Sequence, residues 1–229
     1  MAKRTRGAEK ATALITGASG GLGSAIAAAL APTHALLLAS RPSKRLDEVC
    51  EQFGATAVPL DLTDIDALGD VDVGELDVLV HNAGAAYPDR LAESRIEDWR
   101  TTFDVNVIGV VALTGKLLPM LRQANGHVVF VNSGAGRNVL AGMASYSASK
   151  FALRAYADSL RAEESALRVT TVYPGRIATA MQRRLVEFEG GRYDPQHFLR
   201  PETVAGAIAD IVATPADGHV HEVVIRHRG

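Results

Sequence analysis

The stretch Leu14-Ile-Thr-Gly-Ala-Ser-Gly-Gly-Leu-Gly23 decides the fold. A short apolar run over 11–16 leads into it and an amphipathic run over 21–31 leaves it, so its glycines sit where a strand turns into a helix. Gly17, Gly21 and Gly23 let the backbone turn sharply and come close to a pyrophosphate. The helix N-terminus adds unpaired N–H groups and the positive end of its dipole. The spacing is G-x3-G-x-G rather than G-x-G-x-x-G, and no Lys-Ser/Thr follows the last glycine, so this is not a P-loop. Two other readings use the same residues. A plain strand–helix turn also favours glycines, and Gly17-Ala-Ser19-Gly-Gly21 is formally G-x-S-x-G, the nucleophile elbow of α/β-hydrolases. The elbow needs a later acid and then a histidine, for which His197, His219, His221 and His227 are available. An elbow on the first strand, however, leaves no earlier loop to supply the second oxyanion donor.

Outward from this turn, short apolar runs alternate with longer amphipathic ones. Strands are expected over 11–16, 35–39, 56–60, 77–80, 127–132, 169–173 and 220–225, and helices over 21–31, 43–53, 64–69, 97–124, 145–166 and 202–213. Most of the strand runs are continuously apolar, as strands buried on both faces are. The alternation implies parallel strands with right-handed crossovers. The expected fold is α/β: a single Rossmann-type doubly wound domain over 11–229, with an approximately seven-stranded, mainly parallel sheet and helices on both faces. Residues 1–10 are expected to form a flexible tail. The stretch 178–200, with Gly190, Gly191 and Pro195, shows no clear periodicity and is expected to be a substrate loop.

Composition narrows the function. Across 229 residues, 24 basic side chains face 26 acidic ones, for a net charge of −2. That balance gives no electrostatic reason to expect nucleic acid as partner. The single Cys50 excludes an internal disulfide and a CxxC metal or redox pair. No apolar run reaches the roughly 18 residues that would span a bilayer. The basic start, Met1-Ala-Lys-Arg-Thr-Arg-Gly7, is not followed by the apolar stretch of a signal peptide. The expectation is a soluble, cytoplasmic, enzyme-sized protein with no membrane partner and no metal site.

The second strand run ends Leu38-Ala39-Ser40-Arg41, where dinucleotide sites usually carry an acid for the ribose 2′-hydroxyl. No acidic residue occurs between Gly23 and Asp47. Arg41, Lys44 and Arg45 cluster there instead, with Ser40 as a hydroxyl donor. A guanidinium grips a phosphate that a carboxylate would repel. NADP(H) is therefore expected over NAD(H), with Ser40 and Arg41 at the 2′-phosphate and NAD(H) as the lesser alternative.

Tyr146-Ser-Ala-Ser-Lys150 puts a phenol and an ammonium at i and i+4, on one helix face. The ammonium favours the phenolate, so Lys150 is expected to lower the Tyr146 pKa toward neutral pH. Ser133 ends the fifth strand run, thirteen residues before Tyr146. Gly17, Arg41, Asp61, Asn82-Ala83-Gly84, Ser133 and Pro174-Gly175 all fall at expected carboxyl ends of strands, where ligands bind in open parallel sheets.

Taken together, Thr16-Gly-Ala-Ser-Gly-Gly-Leu-Gly23, Asp61-Leu62, Asn82-Ala-Gly84, Asn106, Ser133, Tyr146-x3-Lys150 and Pro174-Gly-x3-Thr179 resemble the short-chain dehydrogenase/reductase family over about residues 11–180. The resemblance implies an NADP(H)-dependent oxidoreductase that interconverts a carbonyl and a secondary alcohol, working as a homodimer or homotetramer. Tyr146 would be the general acid or base, and Ser133 would hydrogen-bond the reacting oxygen. Lys150 would hold the nicotinamide ribose, and Asn106 would hold a water linking Lys150 to solvent. Asp61 and Leu62 would sit by the adenine, with Asn82, Ala83 and Gly84 under its ribose. Pro174, Gly175, Ile177 and Thr179 would face the nicotinamide, while Ser19 and Leu22 join the glycines of the first turn. The alternatives are a catalytically silent NADP(H)-binding sensor or scaffold on the same fold and, more remotely, a hydrolase using Ser19. The family's usual Asn-Asn-Ala-Gly stands here as His81-Asn-Ala-Gly84, and His81 reads as a satisfied core residue. The chain ends soon after its last expected strand, leaving little for a C-terminal closing segment. Arg183, Arg184 and Arg192 read as a solvated cluster, with contact to an anionic substrate as the alternative. His219, His221 and His227 read as a polar edge. Substrate choice is expected to lie in 85–95, 134–145 and 178–200.

Overall fold

The structure, a computed structural model, describes residues 10–71 and 73–228, so all of the expected tail except Lys10 lies outside the described residues. The strands are β1 (Ala11–Thr16), β2 (His34–Ser40), β3 (Thr56–Pro59), β4 (Val78–His81), β5 (His127–Val131), β6 (Arg168–Pro174) and β7 (Glu222–Ile225). They form one seven-stranded sheet in the order β3-β2-β1-β4-β5-β6-β7. Every neighbouring pair is parallel. The helices are α1 (Gly21–Leu30), α2 (Lys44–Phe53), α3 (Ile96–Phe103), α4 (Gly109–Ala124), α5 (Ala144–Glu163), α6 (Ala180–Phe188) and α7 (Pro201–Val212).

Period-two burial explains why the strand sequences are apolar throughout. Ala13 and Ile15 pack with Ile26 of α1, Leu46 of α2 and Ile208 of α7, whereas Leu14 between them packs with Leu113 and Leu117 of α4. On β5, Val129 and Val131 join the first cluster, and Val128 and Phe130 join the second with Leu153 of α5. Successive side chains point to opposite faces, so each central strand needs apolar residues at both parities. The strand order reverses between β1 and β4. Loops leaving those two strands part there and open a crevice beyond their carboxyl ends.

Three expectations are corrected. The helix expected over 97–124 is α3 and α4 joined by a π turn over Asp104–Ile108. A cause sits on each side of the join. Asn106 bonds the Ala85 backbone through both ends of its amide. At Gly109, an added Cβ would stand only 2.2 Å from the Leu62 carbonyl oxygen. The helix expected over 64–69 is a 3₁₀ turn, Ala67–Asp70, whose Ala67 N–H donates to Asp64 Oδ1 at 3.1 Å. The stretch 178–200 is not structureless. Thr179 caps α6 by accepting from Gln182 N–H at 3.4 Å, and Ile177 bridges to Leu199 further on.

The combined run Ile96–Ala124, 29 residues, is long and apolar enough to cross a bilayer by length and composition, contrary to expectation. Val110, Leu113, Leu117 and Leu121 within it are buried against the sheet, the packing of a core helix.

Candidate active site

The glycine turn is stitched to the β4 end across the point where the strand order reverses. Thr16 Oγ1 accepts from the N–H groups of Asn82 and Ala83 at 3.0 and 3.1 Å. Asn82 Nδ2 donates back to the carbonyls of Thr16 and Gly17 at 3.0 and 3.3 Å. That clamp demands small residues. Gly17 has φ +66°, and a Cβ there would lie 2.8 Å from Ala83 Cα. A Cβ on Gly23 would lie 2.2 Å from the Gly17 carbonyl oxygen and 2.9 Å from Asn82 Nδ2. The first turn of α1 carries no acidic side chain and no side-chain cap, so its N–H groups face the crevice with the positive dipole end.

At one end of the crevice, Ser19 Oγ and Ser40 Oγ share a hydrogen bond of 2.7 Å. Arg41 stands beside them. Asp61 Oδ1 accepts from Thr63 N–H at 3.0 Å and from Thr63 Oγ1 at 2.8 Å. Those bonds, with a smaller contribution from the Arg41 charge, hold the Asp61 carboxyl below the usual range. Asp61 therefore caps its own loop rather than a helix.

At the other end, Ser133 follows β5 and caps a 3₁₀ turn over Gly134–Gly136, its Oγ accepting from Ala135 N–H at 3.1 Å. Asn132 fixes it from behind: Oδ1 accepts from Ser133 N–H at 2.8 Å, and Nδ2 donates to the Lys150 carbonyl at 3.1 Å. With one lone pair engaged, the Ser133 hydroxyl keeps its proton free to donate. Tyr146 and Lys150 lie on one face of α5, with Lys150 Nζ 5.7 Å from the Tyr146 ring centroid. Lys150 is 3% exposed and donates to the Val131 carbonyl at 3.1 Å. Burial depresses its pKa to about 8. Burial also raises the Tyr146 phenol above its ordinary value, while a hydrogen bond with Ser133 pulls the other way. The expectation that Lys150 lowers the phenol is thus corrected. Desolvation of the phenolate outweighs the favourable contacts, and the lowering contact is Ser133.

One cleft of about 870 Å³ is lined by Gly17, Ser19, Gly21, Leu22, Gly23, Ser40, Arg41, Asp61, Leu62, Asn82, Ala83, Gly84, Ser133, Tyr146, Lys150, Pro174, Gly175, Ile177 and Thr179. Asn106 is the exception. It is fully buried behind the wall, and its amide is engaged by the Ala85 backbone and by Ser149 Oγ at 2.9 Å. It reaches the site indirectly, since a Cβ on Gly84 would lie 3.4 Å from Asn106 Oδ1 and 3.9 Å from Lys150 Nζ.

Sequence reasoning passed over Asn132, which carries no signal beyond its place before Ser133, and Arg226, which lines the cleft after β7. The rule that ligands meet the carboxyl ends of parallel strands, applied to the last strand, singles out Arg226. His81 is buried with Nε2 2.8 Å from Thr114 Oγ1, and burial drives its pKa down to about 3, the state of a neutral core histidine. Among the described residues no group of three or more His, Cys, Asp or Glu could hold a metal ion. Ser19 bonds Ser40 and no histidine, so the hydrolase arrangement is not assembled.

The sequence model of the short chain dehydrogenase family matches residues 11–190. The chain is 31% identical to an uncharacterised oxidoreductase of Staphylococcus saprophyticus over 93% of this chain and 94% of that one. It is 34% identical, over 94% of its length, to a glycine betaine reductase of Emericella nidulans, of which it spans only 18%. The fold is also that of an alcohol dehydrogenase from Thermococcus sibiricus solved with 5-hydroxy-NADP. Identity there is 27%, coverage 95% and 96% of the two chains, and the TM-score 0.83.

Proposed function

The chain belongs to the short-chain dehydrogenase family of oxidoreductases, and on that footing we propose that it interconverts a carbonyl and a secondary alcohol with NADP(H). The observation that carries this reading is a single cleft holding the glycine turn at one end and Ser133, Tyr146 and Lys150 at the other. The donor set fits the cofactor. Glycines that admit no Cβ leave room for a pyrophosphate at the α1 N-terminus, and Ser40 and Arg41 offer a hydroxyl and a guanidinium to a 2′-phosphate. Asp61, its carboxyl held below the usual range by Thr63, would face the adenine side.

NADP(H), when bound, gives or takes the hydride at the reacting carbon. The remaining work falls to the chain's own groups. Ser133 Oγ, its lone pair engaged by Ala135, donates to the carbonyl oxygen and stabilises the charge that develops there. Tyr146 delivers the proton that completes the alcohol, and takes it back in the reverse direction. A phenol kept protonated by burial suits the acid's role in reduction. Lys150, whose Nζ lies 5.7 Å from the Tyr146 ring centroid, would donate to the nicotinamide ribose. Asn106 is a positioning residue, setting the Ala85 backbone beside Gly84 and Lys150. The exposed apolar side chains Ile108, Val111 and Phe151 support a homodimer or homotetramer.

Tyr146→Phe tests the reading. With NADPH and a panel of ketones, the variant is expected to bind NADPH as the parent does and to lose about 10²- to 10⁴-fold in kcat, the usual worth of a positioned acid. Unchanged turnover would remove Tyr146 from the mechanism. The catalytically silent alternative is sunk by any turnover that depends on Tyr146.

A further inference from the structure

The nicotinamide end of the cleft is basic. Arg176, Arg184, His197, Arg226 and His227 line it, and Asp61, at the opposite end, is the one acidic residue among the lining. Two of these side chains are engaged by acids: Arg176 pairs with Glu189 at 2.6 Å and His197 faces Asp194 at 3.7 Å. Arg226 is held by backbone carbonyls instead.

Its side chain crosses two glycines. The Cδ lies 3.5 Å from where a Cβ on Gly175 would stand, and Nη2 lies 3.1 Å from where a Cβ on Gly134 would stand. A Cβ on Gly134 would press on the guanidinium, whereas one on Gly175 would only touch the stem, so the head rests directly beside the residue that follows Ser133. Nη1 donates to the carbonyls of Tyr173 and Ile225 at 2.9 and 3.2 Å, using both of its hydrogens and fixing the head. Nη2 and Nε engage no acceptor among the described residues. No carboxylate among them pairs with Arg226. Glu222, at the other end of β7, is committed to Tyr173 Oη at 2.9 Å, Arg137 at 3.7 Å and Arg154 at 3.7 Å. What remains open on Arg226 is the Nε/Nη2 edge. Two parallel N–H groups on one edge of a guanidinium match the two oxygens of a carboxylate.

We propose that the substrate is an oxo acid, or a hydroxy acid in the reverse direction, whose carboxylate is received side-on by Nε and Nη2 of Arg226 while Ser133 and Tyr146 hold its carbonyl. Gly134 directly follows Ser133, and consecutive Cα atoms stand about 3.8 Å apart, so the carboxylate and the carbonyl are separated by about one to three carbons. This assignment rests on the oxidoreductase reading and names its substrate class.

The test compares each acid with its ethyl ester, which keeps the carbonyl and removes the charge. The pairs are acetoacetate and levulinate against their esters, with dihydroxyacetone phosphate against dihydroxyacetone as the phosphate arm. All are run with NADPH on the full chain and on Arg226→Leu, Arg226→Lys and Arg226→Gln. The glutamine variant keeps a donor for the strand carbonyls should the leucine variant fold poorly. The parent is expected to favour at least one acid over its ester in kcat/KM. The acid-to-ester ratio should fall about 10- to 100-fold in Arg226→Leu and Arg226→Gln, the worth of a charged hydrogen bond. Arg226→Lys should retain part of it, and the NADPH affinity of all three should match the parent's. The proposal is overturned by a ratio at or below one for every pair, by a ratio unmoved in the variants, by a preference confined to the phosphate, or by an equal loss of NADPH affinity. NADPH binding without reduction of any acid also overturns it. A parent that does not bind NADPH at all fails the oxidoreductase reading itself, whereas one that reduces esters as well as acids fails only this inference.

Discussion

Replacing Lys150 by Met should give a stability difference from the parent that changes by about 2 kcal/mol between pH 7 and pH 9.5. The ammonium is buried, with one hydrogen bond to the Val131 carbonyl, and its pKa lies near 8 against an ordinary 10.5. The folded-state value is the lower one. At pH 7 the group is therefore charged in both states, and the folded state bears the full desolvation penalty. As pH rises through 8 the folded protein loses the proton first, the unfolded chain holds more protons, and stability increases with pH until the unfolded group also titrates. Above pH 8 each further pH unit favours the folded, neutral amine by about 1.4 kcal/mol, so the rise to pH 9.5 is worth about 2 kcal/mol. Methionine fills similar space and carries no charge, so it lacks this slope. Its advantage over lysine at pH 7 should shrink by that amount at pH 9.5. Urea unfolding of both proteins at the two pH values, followed by circular dichroism, measures it. Other titrating groups cancel in the difference. A gap between variant and parent that stays constant with pH, or widens in methionine's favour, would refute the buried-ammonium argument.

Three further variants probe the cofactor end and the packing. Arg41→Ala should weaken NADPH binding about 10- to 100-fold while leaving NADH within about threefold, since the guanidinium is assigned to the 2′-phosphate alone. Parallel fluorescence titrations of the variant read this, and equal losses for both nucleotides would detach Arg41 from that phosphate. Gly23→Ala drives a Cβ to 2.2 Å from the Gly17 carbonyl and 2.8 Å from Ala18 Cα, both of them backbone. It should abolish NADPH binding and lower stability by about 1–3 kcal/mol. Gly206→Ala, in the exposed middle of α7 with nothing near its Cβ, should instead stabilise by about 0.5–1 kcal/mol. Thermal melts of the two glycine-to-alanine variants moving in the same direction would contradict the steric account.

Most of the sheet was legible because its strands announce themselves twice. Ala13, Leu14 and Ile15 are all apolar, and only a strand covered on both faces requires that. The crevice was legible for a related reason: polar or glycine residues closing apolar runs, such as Asn82 and Ser133, stand out against them. Distance along the chain hid the rest. Asn106 is visible as a poor helix former, but the Ala85 backbone that draws it into a π turn lies 21 residues away. The Tyr146–Lys150 pairing follows from i,i+4 spacing. The direction in which the phenol's pKa moves does not, because it depends on how much water the folded walls exclude. Helix α6 escaped notice because its apolar positions, Met181, Leu185 and Val186, are embedded among glutamine, arginine and glutamate. Arg226 was missed for want of carrying the strand-end rule to β7, whose four residues are half-exposed and announce a strand only weakly.

The central claim is that the cleft is an NADP(H) site serving carbonyl chemistry, and nucleotide binding tests it most directly. The unmodified protein, titrated separately with NADPH and NADH while nicotinamide fluorescence is followed, should bind NADPH at least about tenfold more tightly, the factor one charged hydrogen bond to a phosphate supplies. Binding of neither nucleotide would contradict the account outright, and tighter binding of NADH would contradict the role given to Ser40 and Arg41.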